Sequence, residues 1–101
     1  MKTEYELYLQ TWNHLNPNAK EDYDFETIDF EPCLNYSDAA KQAKEISKRV
    51  PFKDAHGNEI VRVQVAAYYS GEEAEEKYGT SYHLIWKQTF KNGKGCIRYF
   101  L

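Results

Sequence analysis

The dipeptide Asn92-Gly93 lies between two runs in which apolar and polar residues alternate, 81–91 and 95–101. A two-residue hairpin loop of type I′ needs positive φ at both central residues, and Asn-Gly supplies it readily. The chain must double back here, its arms must pair antiparallel, and the turn sets their register. In that register Lys91 faces Lys94, Thr89 faces Cys96, Lys87 faces Arg98, Trp86 faces Tyr99 and Leu84 faces Leu101. One face carries Tyr82, Leu84, Trp86, Phe90, Ile97, Tyr99 and Leu101, and is expected to be the core face. The other carries His83, Ile85, Lys87, Lys91, Lys94, Arg98 and Phe100.

Further strands come from the same period of two. Residues 3–13 alternate Tyr5, Leu7 and Leu9 with Glu4, Glu6, Tyr8 and Gln10. Residues 59–69 alternate Val61, Val63, Val65, Ala67 and Tyr69 with Ile60, Arg62, Gln64, Ala66 and Tyr68. Between them, Ser37 as N-cap and Asp38 in the first turn predict a helix to about Arg49, stopped by Pro51. Ala39, Ala43, Ile46 and Val50 fall within about 40° of one line on it, with Lys41, Lys44 and Lys48 opposite. Residues 54–58 read as a turn, and 70–79 as a solvated loop or one helical turn. The expected fold is α+β: a four-stranded antiparallel sheet in the order β-α-β-β-β, with one helix across a face. A chain of 101 residues makes this one domain.

The segment 21–36, containing "YDFETIDFEP", fits neither period. The whole stretch 14–36 is long for a structureless loop, so part of it is expected to pack as a short strand or lid. The outer sheet face would show Tyr8, Trp12, Ile60 and Tyr68, a large apolar patch for a monomer. Phe25, Ile28, Phe30 and Leu34 are therefore expected to fold over that face as a lid, with the acids turned to water.

Charge is unevenly placed along the chain. Six of the sixteen acids, Glu21, Asp22, Asp24, Glu26, Asp29 and Glu31, lie in this segment, and Glu72, Glu73, Glu75 and Glu76 form a second run. Most bases sit on the helix and the hairpin. Lys87 opposite Arg98 needs acids alongside, such as Glu4 and Glu6, or an anionic partner.

Catalytic patterns are absent from this reading. His14, His56 and His83 have no ligand-type partner at metal spacing. Cys96 and His83 lie about six ladder positions apart, roughly 20 Å, beyond reach of each other. Gly93-Lys94-Gly95 lacks the long loop and following helix of a P-loop. Two cysteines without Cys-x-x-Cys spacing suggest reduced thiols in a cytoplasmic protein. Met1-Lys2-Thr3-Glu4 leads straight into a strand pattern and does not read as a secretory signal. No run approaches the ~18 apolar residues of a membrane span. No enzyme, metal or cofactor is expected.

Nine Tyr, five Phe and two Trp remain, more than a small core requires. Tyr and Trp are favoured at protein interfaces. The leading expectation is a protein-binding module. It would be an acidic inhibitor or adaptor occupying a surface on a larger protein, such as a basic nucleic-acid-binding groove. Phage or mobile-element anti-defence inhibitors, anti-CRISPR-like in character, suit this description by type. Contacts would come from Asp22, Tyr23, Asp24, Phe25, Glu26, Asp29, Glu31, Tyr68, Tyr69, Glu72, Glu73, Glu75, Glu76 and Tyr78. One alternative is nucleic-acid binding through Lys87, Lys91, Lys94 and Arg98 on the outer hairpin face. Another is a small-molecule binder or minor enzyme using a pocket between lid and sheet, lined by Trp12, Tyr68, His83 and Phe100. Either a monomer or a homodimer is compatible with these surfaces.

Overall fold

A computed structural model of the protein describes residues 2–12 and 25–100. Its elements run β1 (Lys2–Trp12), β2 (Phe25–Cys33), α1 (Tyr36–Ser47), β3 (Phe52–Lys53), β4 (Glu59–Ile60), β5 (Arg62–Ser70), α2 (Glu72–Tyr78), β6 (Tyr82–Lys91) and β7 (Lys94–Phe100). The fold is α+β, with an antiparallel main sheet in the order β2-β1-β5-β6-β7 and a two-stranded β3–β4 sheet beside it. The main sheet thus has five strands rather than four, and there is a second helix. The expected strand 59–69 divides at Val61: Glu59 and Ile60 pair with β3, residues from Arg62 on pair with β1 and β6, and Val61 N donates to Gln10 O at 2.9 Å. Ile60, expected on the outer face, lies in β4 and is fully buried.

The inner face of the sheet forms the core. Leu7, Val63, Val65 and Phe90 meet Ala39, Ala40 and Ala43 of α1, with Ile46 and Val50 packed at the margin. Three alanines let the helix backbone approach the sheet closely, so little volume is left to fill. The N-cap is Asn35, not Ser37: its Oδ1 accepts from Asp38 N at 2.8 Å. At the other end Ser47 is fully buried, and its Oγ accepts from Gly93 N at 2.8 Å. That bond ties α1 to the β6–β7 turn. Helix α2 follows Gly71 and ends at Gly79, whose φ of 77° suits a left-handed C-cap.

The expected lid is not a lid where the structure describes it. Residues 25–33 are the edge strand β2, paired with β1. Phe30 is 60% exposed and Leu34 93% exposed, so neither covers the sheet. The missing period has a physical cause. The β1–β2 register shifts between Leu9 and Gln10, with Asp29 opposite Leu9 and Thr27 opposite Gln10. Ile28 is the extra residue of a bulge, which reverses side-chain facing beyond it. Phe25 and Phe30, five positions apart, consequently share the outer face through their partners Trp12 and Tyr8.

Two further bulges revise the hairpin. Lys91 does oppose Lys94, and Phe90 opposes Gly95, but Thr89 then opposes Ile97, Gln88 opposes Arg98 and Trp86 opposes Phe100. Cys96 is the extra residue. Arg98 and Phe100 therefore stand on the inner face with Gln88 and Trp86, not on the outer face with Lys87. Between β5 and β6, Ala67 opposes Trp86 while Tyr68 opposes Leu84, leaving Ile85 extra. Tyr82 and Leu84 are thereby turned from the expected core face to the outer face, and His83 to the inner.

Candidate functional site

The outer face holds a hydrogen-bonded cluster around one carboxylate. Glu6 lies in β1, Tyr8 two positions on, Tyr68 in β5 and Tyr82 in β6. Tyr82 Oη donates to Glu6 Oε1 at 2.8 Å, and Tyr8 Oη donates to Glu6 Oε2 at 2.9 Å. With its own proton committed to Glu6, the Tyr8 oxygen accepts from the Tyr68 hydroxyl. The Tyr68 and Tyr82 rings stack at 4.3 Å and 13°. Burial pushes all three phenols above their ordinary range, and the Glu6 carboxylate adds to the shift at each. Lys87 Nζ stands 6.0 Å from the Tyr8 ring centre.

Polar side chains bridge the strands farther along the face. Gln10 Nε2 donates to Thr27 Oγ1 at 3.2 Å, Arg62 Nε donates to Gln10 Oε1 at 2.7 Å, and Gln64 Nε2 donates to Thr89 Oγ1 at 2.9 Å. Trp12 stacks on Phe25 at 4.4 Å, and the Arg62 guanidinium lies 3.6 Å from the Phe25 ring centre. Trp12 is 41% exposed and Tyr82 37%. Among the described residues both helices lie against the opposite face, α1 through its alanines and α2 through the stack of Tyr78 on Tyr69 and His83. The outer face thus presents Tyr82, Phe30 and Trp12, with Tyr68 partly exposed and Tyr8 buried beneath them.

The residues expected to bind a partner do not form one patch. Asp22, Tyr23 and Asp24 lie outside the described residues. Phe25 and Glu26 pair with Trp12 and Thr11, whereas Tyr69 pairs with Thr3. Nine strand positions, roughly 30 Å, separate these ends of β1. Asp29 and Glu31, opposite Leu9 and Leu7, turn to the inner side of the β2 edge. Glu72, Glu73, Glu75 and Glu76 gather on α2, beside Tyr69, Tyr78 and His83. Tyr78 stacks on His83 at 4.0 Å and on Tyr69 at 5.9 Å. Tyr68 points the other way, into the Glu6 cluster.

The alternative sites separate as well. Lys87 is outer and Arg98 inner, and Lys91 and Lys94 sit at the hairpin turn. The pocket of Trp12, Tyr68, His83 and Phe100 does not assemble, because Trp12 and Tyr68 share the outer face while His83 and Phe100 are on the inner one. Among the described residues no three His, Cys, Asp or Glu side chains converge as metal ligands. None of the described helices is long and apolar enough to cross a membrane.

The sequence reading missed Glu6 and Tyr82 as site residues. Glu6 was legible as an acid on the outer face of β1. Tyr82 was not, because only the bulge at Ile85 brings it there. No family model, curated protein or solved structure matches the chain.

Proposed function

We propose that this chain is a non-enzymatic protein-binding module that docks on a larger protein through its outer sheet face. The observation that carries this reading is the Glu6 cluster. Three tyrosines from three strands are fixed around one carboxylate, and exposed Phe30 stands on the neighbouring strand opposite Tyr8. Rigid aromatic rings lose little entropy on binding, and Tyr, Trp and Arg dominate interface hot spots. Trp12 and Arg62 extend the same surface toward its other end. An inhibitor or adaptor acting in the cytoplasm, of anti-defence character, would use such a face to occupy its target by contact alone. No reaction step belongs to this reading.

The acidic residues have a different part in it. Glu72, Glu73, Glu75 and Glu76 at one end, and Glu26, Asp29 and Glu31 along β2, steer approach to a basic partner surface and orient the encounter. The test is capture of a target from nuclease-treated lysate by the immobilised protein, alongside Phe30→Asp and Tyr82→Ala. A single protein retained by the parent and lost by both variants supports the reading. Equal retention by the folded variants overturns it.

A further inference from the structure

On the opposite side of the sheet, Lys41, Lys44 and Lys48, with Glu45, Tyr36 and Gly93, line an open groove of about 400 Å³ between α1 and the β6–β7 turn. The lysines follow i, i+3, i+7 spacing, so they stand in a row about 10 Å long on one side of the helix. The Ser47–Gly93 hydrogen bond holds the two walls together. Arg98 stands beside Tyr36: its Nη2 donates to Tyr36 Oη at 3.3 Å and to Gln88 Oε1 at 3.4 Å. Its guanidinium centre lies 4.5 Å from the Trp86 ring centre and 5.5 Å from that of Tyr36. Phe100, 75% exposed, follows two positions along the same face of β7.

We propose that this groove is a second binding site, one that takes the backbone of a single-stranded nucleic acid. Three lysines and one carboxylate, Glu45, line it, and Arg98 stands against Tyr36 of the same lining. Of these cations, among the described residues, only Lys48 has a carboxylate within ion-pair distance, Glu45 at 3.3 Å. Asp38, also on α1, accepts from Gln42. The acids of β2 lie at the edge of the sheet opposite β7. The local charge is thus basic despite a net charge of −3 for the chain. A row about 10 Å long suits a repeating anion better than one phosphate. The second clue is aromatic. Arg98 already spends its Nη2 donor on Tyr36 and Gln88, which leaves it poorly placed to grip a carboxylate as a fork. Its stacked plane and the bare Phe100 ring instead offer platforms for bases. This favours a nucleic-acid strand over an acidic peptide. It is also a different surface from the outer hairpin face, because the bulge at Cys96 moves Arg98 to the side where the α1 lysines stand.

The test is fluorescence anisotropy with a short labelled oligothymidylate across a salt series. Three or four phosphate contacts give log K against log salt a slope of about −2 to −3. Lys41→Glu/Lys44→Glu is expected to weaken binding at least tenfold and flatten that slope by about 1.4. Phe100→Ala is expected to weaken it about fivefold or more through lost stacking. Lys87→Ala, on the outer face, should leave it unchanged, and far-ultraviolet circular dichroism checks that each variant is folded. The proposal is overturned by absence of binding at low salt, or by unchanged affinity in folded Lys41→Glu/Lys44→Glu. It is equally overturned if polyglutamate displaces the label as well as unlabelled oligothymidylate does, which would identify an acidic-protein site.

Discussion

Tyr82 Oη donates to Glu6 Oε1 at 2.8 Å across 76 positions of sequence. Glu6 is on β1 and Tyr82 on β6, with β5 between them, so the bond spans the middle strand of the sheet. It exists because a bulge at Ile85 turns Tyr82 outward. Removing the hydroxyl with Tyr82→Phe should cost about 0.5–1 kcal/mol, below the usual range for a bond to a charged group because Tyr82 is partly exposed. For a domain of this size that is a fall of about 2–8 °C in Tm, measurable by thermal circular dichroism.

The same cluster makes stability depend on alkaline pH. Tyr8, Tyr68 and Tyr82 all titrate above 10.0 in the fold. The unfolded chain therefore releases these protons first as pH rises. The stability they contribute is complete below about pH 10 and drains away above it. Ultraviolet titration should show three late phenols in the parent. In Glu6→Gln the phenols should titrate earlier, with burial still holding Tyr8 high. The alkaline fall in Tm should be correspondingly shallower.

Much of the fold could be read from periodicity. Tyr5, Leu7 and Leu9 lie inward as their alternation demands, and Ala39 and Ala43 lie at the helix–sheet contact. The Asn92-Gly93 turn also forms between its predicted arms, with φ of 51° and 80°. What escaped was the bulges at Ile28, Ile85 and Cys96. Each reverses facing for every residue beyond it, and none contains a glycine of positive φ; Gly95 beside Cys96 is the one glycine at a bulge. A strict period of two therefore placed Tyr82, His83, Arg98 and Phe100 on the wrong faces and made β2 look like a loop. The Glu6 cluster and the basic groove both depend on those reversals, so neither was legible.

The close helix–sheet approach leaves no room at Ala43, which is fully buried. Ala43→Leu should destabilise by about 1–3 kcal/mol through overpacking, seen as a lower urea midpoint with an unchanged slope.

Gly93 combines a φ of 80° with a close neighbour: a Cβ there would lie 2.8 Å from Lys48 Cε. Ser47→Ala removes the hydrogen bond at the same junction and should cost about 1 kcal/mol. In hydrogen exchange, the Gly93 amide should lose protection in that variant.

Cys96 is exposed, whereas Cys33 is partly buried. Burial, followed by the nearby Asp38 and Glu31, raises the Cys33 thiol. A thiol reagent at mildly alkaline pH should modify Cys96 first and Cys33 more slowly, since the thiolate is the reactive form. Cys96→Ser should remove the fast phase alone.

The proposed contact is made by the outer face. Its most direct test is titration calorimetry of the captured target against Phe30→Asp, with Glu72→Lys/Glu73→Lys for comparison. Phe30→Asp is expected to weaken binding at least about tenfold, the effect of one hot-spot residue. The α2 reversal is expected to change affinity by no more than about threefold, as rim charges do. Abolished binding in the α2 variant with full affinity in Phe30→Asp would contradict the outer-face contact, and would place it on the acidic end of the sheet instead.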